Sequence, residues 1–156
     1  MKTLILYATK HGATKEIAGR IANKLDNAAI CDLKQGNTPT ITDFDCIIIG
    51  SSLYAGSIRK EAKAFVAQNA DVLSEKTIGL FLSGLAEEDN NYFATNFPKN
   101  LLDKVKAKGF LGGIFDPKKA NMFERFVIKT VMKQSVYVEK IDDDATDQFV
   151  SDMKRN

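Results

Sequence analysis

The chain has 156 residues, of which 44% are hydrophobic and 27% charged. That balance excludes a disordered chain and allows one domain, spanning 1–156, with a sizeable core. Its formal net charge of +2, from 22 basic and 20 acidic residues, is too balanced to argue for nucleic acid, and its lysines are scattered rather than clustered, so no nucleic-acid partner is expected.

No apolar run reaches the roughly eighteen residues of a transmembrane helix. The N-terminus opens on a strand pattern rather than a signal peptide, so the expected location is cytoplasmic. Cys31 and Cys46 lie in apolar runs at no metal-like spacing. They read as buried thiols in a reducing compartment, with a structural disulfide as the alternative, and no metal site is expected.

The run Thr3–Ala8 is continuously apolar, as in a strand buried on both faces. After it, Ile17, Ala18, Ile21, Ala22 and Leu25 fall at helical spacing, predicting a helix from about 13 to 26. Ala28–Leu33 reads as a weaker strand nearer an edge, and 34–40, with Gly36 and Pro39, as a loop. Cys46–Ile49 is the strongest strand signal and ends at a loop of small and hydroxyl residues, Gly50–Ser57. A helix follows with Ile58, Ala62, Phe65, Val66 and Asn69 on one face. Ile78–Leu82 is the fourth strand, ending at Ser83-Gly84-Leu85.

Further on, Pro98 suits a first helical turn, Leu101, Leu102 and Val105 give a buried face, and Gly109 is placed as the stop. Phe110–Phe115 is then the fifth strand, weakened by Gly112 and Gly113. Residues 121–134 read as a helix. Met122, Phe123, Phe126, Val127, Val131 and Met132 gather largely on one side of it. That side reads as core packing, with membrane or quinone contact as the alternative. Lys118, Lys119, Arg125 and Lys129 read as solvated, or as suited to an acidic lipid surface. Residues 136–141 form a short extended piece. Asp142–Arg155 is a closing helix with an acidic start and a basic end.

Strands alternating with helices predict right-handed crossovers and a parallel sheet covered on both faces. The fold class is therefore α/β: a three-layer, doubly wound, five-stranded parallel sheet of order 2-1-3-4-5, with an extra helix before the C-terminal one. Ligands bind such a fold beyond the carboxyl ends of the strands, at the switch point. Three loops lie there: 9–14, 50–57 and 83–88.

The first loop, Thr9-Lys10-His11-Gly12-Ala13-Thr14, joins a strand to a helix. Its backbone N–H groups at the helix start favour a phosphate, by up to about 1–2 kcal/mol from the helix dipole. Gly12 stands where backbone must approach the ligand closely. No Gly-Lys-Ser/Thr ends the loop, so it is not a Walker A motif, and a single Gly is not a dinucleotide fingerprint. The first strand ends Tyr7-Ala8-Thr9-Lys10, without the Asp that a phosphoacceptor receiver domain needs.

Thr9-x-x-Gly12-x-Thr14 and Asp43–Ser51 resemble the phosphate loop, and the third strand with second flavin loop, of the flavodoxin superfamily. The resemblance covers essentially the whole chain. His11 departs from it, standing where flavodoxins carry Thr or Ser. Met1–Leu6, Ile49–Gly56 and Phe123–Lys133 are similar to the flavodoxin-like, quinone-dependent protoporphyrinogen oxidase branch of bacterial haem synthesis. Glu87, Glu88 and Asp89 depart from that branch, which is strongly basic after strand four.

The resemblance implies FMN as cofactor, with its phosphate on Thr9, Lys10, His11, Gly12, Ala13 and Thr14. The flavin ring would lie between Ser51, Ser52, Leu53, Tyr54, Ala55 and Gly56 on one side and Ser83, Gly84, Leu85 and Ala86 on the other. Tyr54 is the candidate for stacking on the ring, with solvent exposure at a loop tip as the alternative. Gly56 would present its backbone near the reactive flavin nitrogen. No side chain need act as acid or base, because the flavin carries the redox chemistry.

Two functions follow from the resemblance. One is an FMN-dependent oxidoreductase passing electrons from a small-molecule substrate to a quinone-like acceptor, with peripheral membrane contact at the inner face. The other is a flavodoxin-type electron carrier docking to a larger redox partner protein. Such carriers are usually strongly acidic, and this chain is not.

Overall fold

The computed structural model describes residues 1–85, 91–131 and 137–156. Its elements in chain order begin with β1 (Thr3–Ala8), α1 (Ala13–Lys24), β2 (Ala28–Asp32), β3 (Cys46–Tyr54) and the two-residue β4 (Ser57–Ile58). Then come α2 (Lys60–Gln68), α3 (Ala70–Ser74), β5 (Thr77–Ser83), α4 (Asn91–Asn96), α5 (Lys99–Leu102) and β6 (Val105–Phe110). The chain closes with β7 (Gly112–Phe115), α6 (Met122–Val131), β8 (Val138–Ile141) and α7 (Asp143–Lys154).

Five strands pair in parallel in the order β2-β1-β3-β5-β6, which is 2-1-3-4-5 when the parallel strands alone are counted. Alternate residues of each strand point to opposite faces, and both faces are covered. Leu4, Leu6, Ile47, Ile49, Leu80 and Leu82 pack towards α2–α5. Ile5, Tyr7, Ile48 and Phe81 pack against Ile17 and Ile21 of α1 and Phe149 and Met153 of α7. The three-layer architecture read from the sequence is the one observed. Cys46 is fully buried in the second core and Cys31 partly buried on edge strand β2; both are free thiols.

Several boundaries differ from the sequence reading. The third strand does not stop at Gly50 but runs to Tyr54 and folds back as β4, pairing Leu53 with Ile58 and Tyr54 with Ser57. Ile58 therefore belongs to a strand rather than to the face of α2, and Asn69 is the C-cap of that helix. The helix after Pro98 ends at Leu102, and Gly109 lies inside β6 rather than stopping a helix. The fifth parallel strand is thus Val105–Phe110. Its alternating Lys106 and Lys108 are exposed, as suits an edge strand that must not recruit another chain.

The segment read as the fifth strand instead becomes β7, which leaves the main sheet and pairs antiparallel with β8. Gly112 makes the exit. Its φ is +78°, and a Cβ there would sit 1.8 Å from the carbonyl oxygen of Lys140. Helix α6 follows as the extra helix. Its outer residues Met122, Phe123 and Phe126 are 86%, 65% and 67% exposed, which corrects the core-packing expectation for those three.

Candidate functional site

The loop from β1 to α1 is shaped by its own side chains. Thr9 Oγ1 accepts a hydrogen bond from the Gly12 N–H at 2.9 Å, a short turn that fixes the backbone. Gly12 is the N-cap of α1 at φ 100°, a left-handed conformation that a side chain would strain, and among the described residues no side chain caps the helix. By contrast, Asp142 caps α7 by accepting from the Ala145 N–H. The start of α1 is therefore open to an outside anion.

Thr14 is fully buried, and its Oγ1 lies 2.8 Å from Ser83 Oγ. The hydroxyl ties the first loop to the end of β5. Ser51 is likewise turned inward: its Oγ accepts from the Arg59 N–H at 2.9 Å and donates to the Ser52 carbonyl. It positions the start of α2. Ser52 differs, because among the described residues its buried hydroxyl has no hydrogen-bond partner. Such a group costs about 1–3 kcal/mol unless something fills the bond.

The β3–β4 hairpin turns through Ala55 at φ 48° and Gly56 at φ 77°, the two positive values of a type I′ turn. The side chain of Asn96 clamps it from α4. Its Nδ2 donates to the Gly56 carbonyl at 2.8 Å, and its Oδ1 accepts from the Ile58 N–H at 2.9 Å. The third loop is held by β7, where the Gly84 N–H donates to the Gly112 carbonyl at 2.9 Å. A Cβ on Gly113 would lie 2.7 Å from the backbone of Gly84, so the two chains pack with no room for a side chain.

These pieces enclose a cavity of about 470 Å³, within the usual range for a small-molecule site. Thr9, Lys10, His11 and Ala13 line it from the first loop. Ser52, Leu53, Tyr54, Ala55 and Gly56 line it from the second, and Ser83, Gly84 and Leu85 from the third. Gly12, Thr14 and Ser51 shape it without lining it, and Ala86 lies outside the described residues, as do Glu87, Glu88 and Asp89. Tyr54 is 39% exposed, so it is both a cavity wall and a surface residue. Among the described residues no cluster of metal-ligating side chains occurs.

The charges converge on the first loop. Lys10 Nζ lies 4.3 Å from the centroid of the Tyr54 ring. Lys119 Nζ is 4.0 Å from the place a Cβ on Gly12 would take. Burial lowers the pKa of Lys10, and Arg59 adds to this. His11 is also pushed below the usual histidine value, first by burial and then by Lys10, Lys119 and Arg59, with Asp116 opposing. Its Nε2 lies 2.9 Å from Glu124 Oε2 and carries the hydrogen towards that carboxylate.

Glu124, Phe123, Tyr92, Ile114 and Phe115 also line the cavity; the sequence reading placed none of them against the flavin, and Phe123 entered it only through the alternative of membrane or quinone contact. For Glu124 a partial signal existed. Asn121-x-x-Glu124 ahead of an apolar run is the pattern of a capping box. The box is present: the Glu124 N–H donates to Asn121 Oδ1 at 2.8 Å, and the Asn121 N–H donates to Glu124 Oε2 at 3.3 Å. That pattern locates the helix start but not its contact with Lys10 and His11, more than a hundred residues earlier.

A family described as flavodoxin domain matches residues 4–144. Protoporphyrinogen IX dehydrogenase [quinone] of Escherichia coli K12 is 26% identical over 146 residues, covering 86% of this chain and 81% of that protein. The protein of the same name from Leishmania major is 28% identical, over 85% of this chain and 62% of its own. Among solved structures, a flavodoxin of Streptococcus pneumoniae TIGR4 superposes with a TM-score of 0.60 at 19% identity, covering 98% of this chain and 97% of that one. A flavoprotein of Lactobacillus acidophilus, solved in complex with FMN, gives 0.55 at 19% identity over 69% and 91%.

Proposed function

Because this chain belongs to the flavodoxin domain family, we propose that it binds FMN and acts as a protoporphyrinogen oxidase-like oxidoreductase with a quinone-like acceptor. The uncapped start of α1 and the unpartnered Ser52 hydroxyl, both at one mainly apolar cavity, carry this reading. An anion and a polar ring atom are the two partners such a site lacks. The names of the Escherichia coli and Leishmania relatives support the substrate and acceptor.

When bound, FMN supplies the redox-active ring. The protein's work is placement. The loop Thr9–Gly12 and the first turn of α1 would hold the phosphate through backbone donors. Lys10 and Lys119 supply positive charge. Leu53, Tyr54 and Leu85 would give the ring apolar walls, and the Ser52 hydroxyl would be available to hydrogen-bond a polar atom of it. Thr14 and Ser83 keep the first and third loops in register. Phe123 lines the cavity while also facing solvent, which suits an apolar acceptor arriving from that side.

The test is turnover of protoporphyrinogen by FMN-loaded protein with a menaquinone analogue. Oxidation coupled to quinone reduction is the expected result. FMN-loaded protein that ignores both, yet exchanges single electrons with a flavodoxin reductase, would make it an electron carrier.

A further inference from the structure

Helix α6 is attached to the rest of the protein in an unusual way. Among its described side chains, Glu124 is the buried one, at 2% exposure, while Met122, Phe123, Arg125, Phe126, Lys129 and Thr130 are exposed. Glu124 satisfies the start of its own helix through Oε2 and the Asn121 N–H. Beyond this, Oε2 takes the His11 Nε2–H at 2.9 Å and Oε1 pairs with Lys10 Nζ. Two side chains of the anion-binding loop are thus engaged by a carboxylate that arrives from α6.

We propose that Glu124 is the resident anion held by Lys10 and the His11 N–H and that a phosphate-bearing ligand exchanges with it, releasing α6 from the cavity. The proposal rests on the FMN reading above. Its physical basis is that a phosphate and the Glu124 carboxylate compete for the same two donors, the Lys10 ammonium and the His11 N–H. Like charges brought together in a partly desolvated site repel, and a dianion more so. Once Lys10 and His11 turn to the phosphate, the Glu124 carboxylate is left buried without its partners, which is strongly unfavourable. Moving α6 outward returns it to water. A freed helix of ten residues is marginal by itself, so release also loosens it.

Glu124 is then a specificity-setting residue. A ligand with a dianionic phosphate displaces it, and a neutral analogue does not. Coupling of this kind is reciprocal: whatever holds α6 closed weakens phosphate binding, and phosphate weakens the hold on α6.

Glu124→Gln tests this, because glutamine keeps the capping box while removing the charge. FMN and riboflavin affinities are measured by flavin fluorescence for both proteins, and hydrogen exchange of the 122–131 amides is followed in wild type with and without FMN. The variant is expected to bind FMN roughly ten- to hundredfold more tightly, with riboflavin affinity unchanged. FMN is expected to speed exchange across 122–131 in wild type, an arm that needs no variant. FMN binding that is unchanged or weaker in Glu124→Gln, or FMN-induced protection of 122–131, would overturn the exchange while leaving the FMN reading intact. Failure of both proteins to take up FMN would overturn that reading and the proposal with it.

Discussion

Gly50 and Phe81 face each other across β3 and β5, and the Phe81 ring fills the place of the missing side chain. A Cβ on Gly50 would lie 2.0 Å from Cζ of that ring. The ring in turn meets Phe149 of α7 edge-on, with centroids 6.2 Å apart. Gly50 therefore serves the core beneath the switch point rather than ending a strand.

Gly50→Ala is expected to lower stability by about 1–3 kcal/mol through overpacking, measured by urea unfolding. Phe81→Leu in the same chain is expected to recover part of the loss. Gly19 makes the contrast. It sits within α1 and has nothing within 4 Å of a built Cβ, so Gly19→Ala is expected to stabilise by about 0.5–1 kcal/mol.

The pair Thr14 and Ser83 predicts a coupled effect. Thr14→Val keeps the shape but leaves the Ser83 hydroxyl without its partner, at a cost of about 1–3 kcal/mol. Ser83→Ala added to Thr14→Val is expected to cost less than the sum of the two single changes, because the unpaired hydroxyl disappears. Strict additivity in the double-mutant cycle would show that the two groups do not interact.

His11 predicts a dependence on pH. Its folded pKa lies below the unfolded value, first through burial and then through Lys10, Lys119 and Arg59. Below about pH 6.5 the unfolded chain takes up a proton that the folded chain refuses. The unfolded state then binds more protons, so stability rises with pH through that window. The contribution is complete above about pH 6.5 and is lost as the pH falls through the folded pKa. His11→Asn is expected to flatten the slope of unfolding free energy between about pH 5 and 7 relative to wild type. An unchanged slope would contradict a His11 pKa held below its ordinary value.

The sheet was legible because its central strands are continuous apolar runs, as burial on both faces requires. Edge strand β6 was not. Lys106 and Lys108 break its apolar run, and Gly109 looks like a helix stop when it is in fact packed against Leu111. Exposure of Met122, Phe123 and Phe126 was also hidden, since an apolar stripe on a helix looks the same whether it meets core or solvent. The three loops were legible from their position in the topology and their small residues. Asn96, Tyr92 and Glu124 were not, because their roles depend on contacts across long sequence separations that no local pattern encodes.

The central claim, that the open start of α1 and the cavity beside it take FMN, is tested most directly by titrating the purified chain with FMN and with riboflavin. One FMN bound per chain, with riboflavin bound about tenfold or more weakly for want of the phosphate, is the predicted result. No uptake of FMN, or equal affinity for the two flavins, would contradict it.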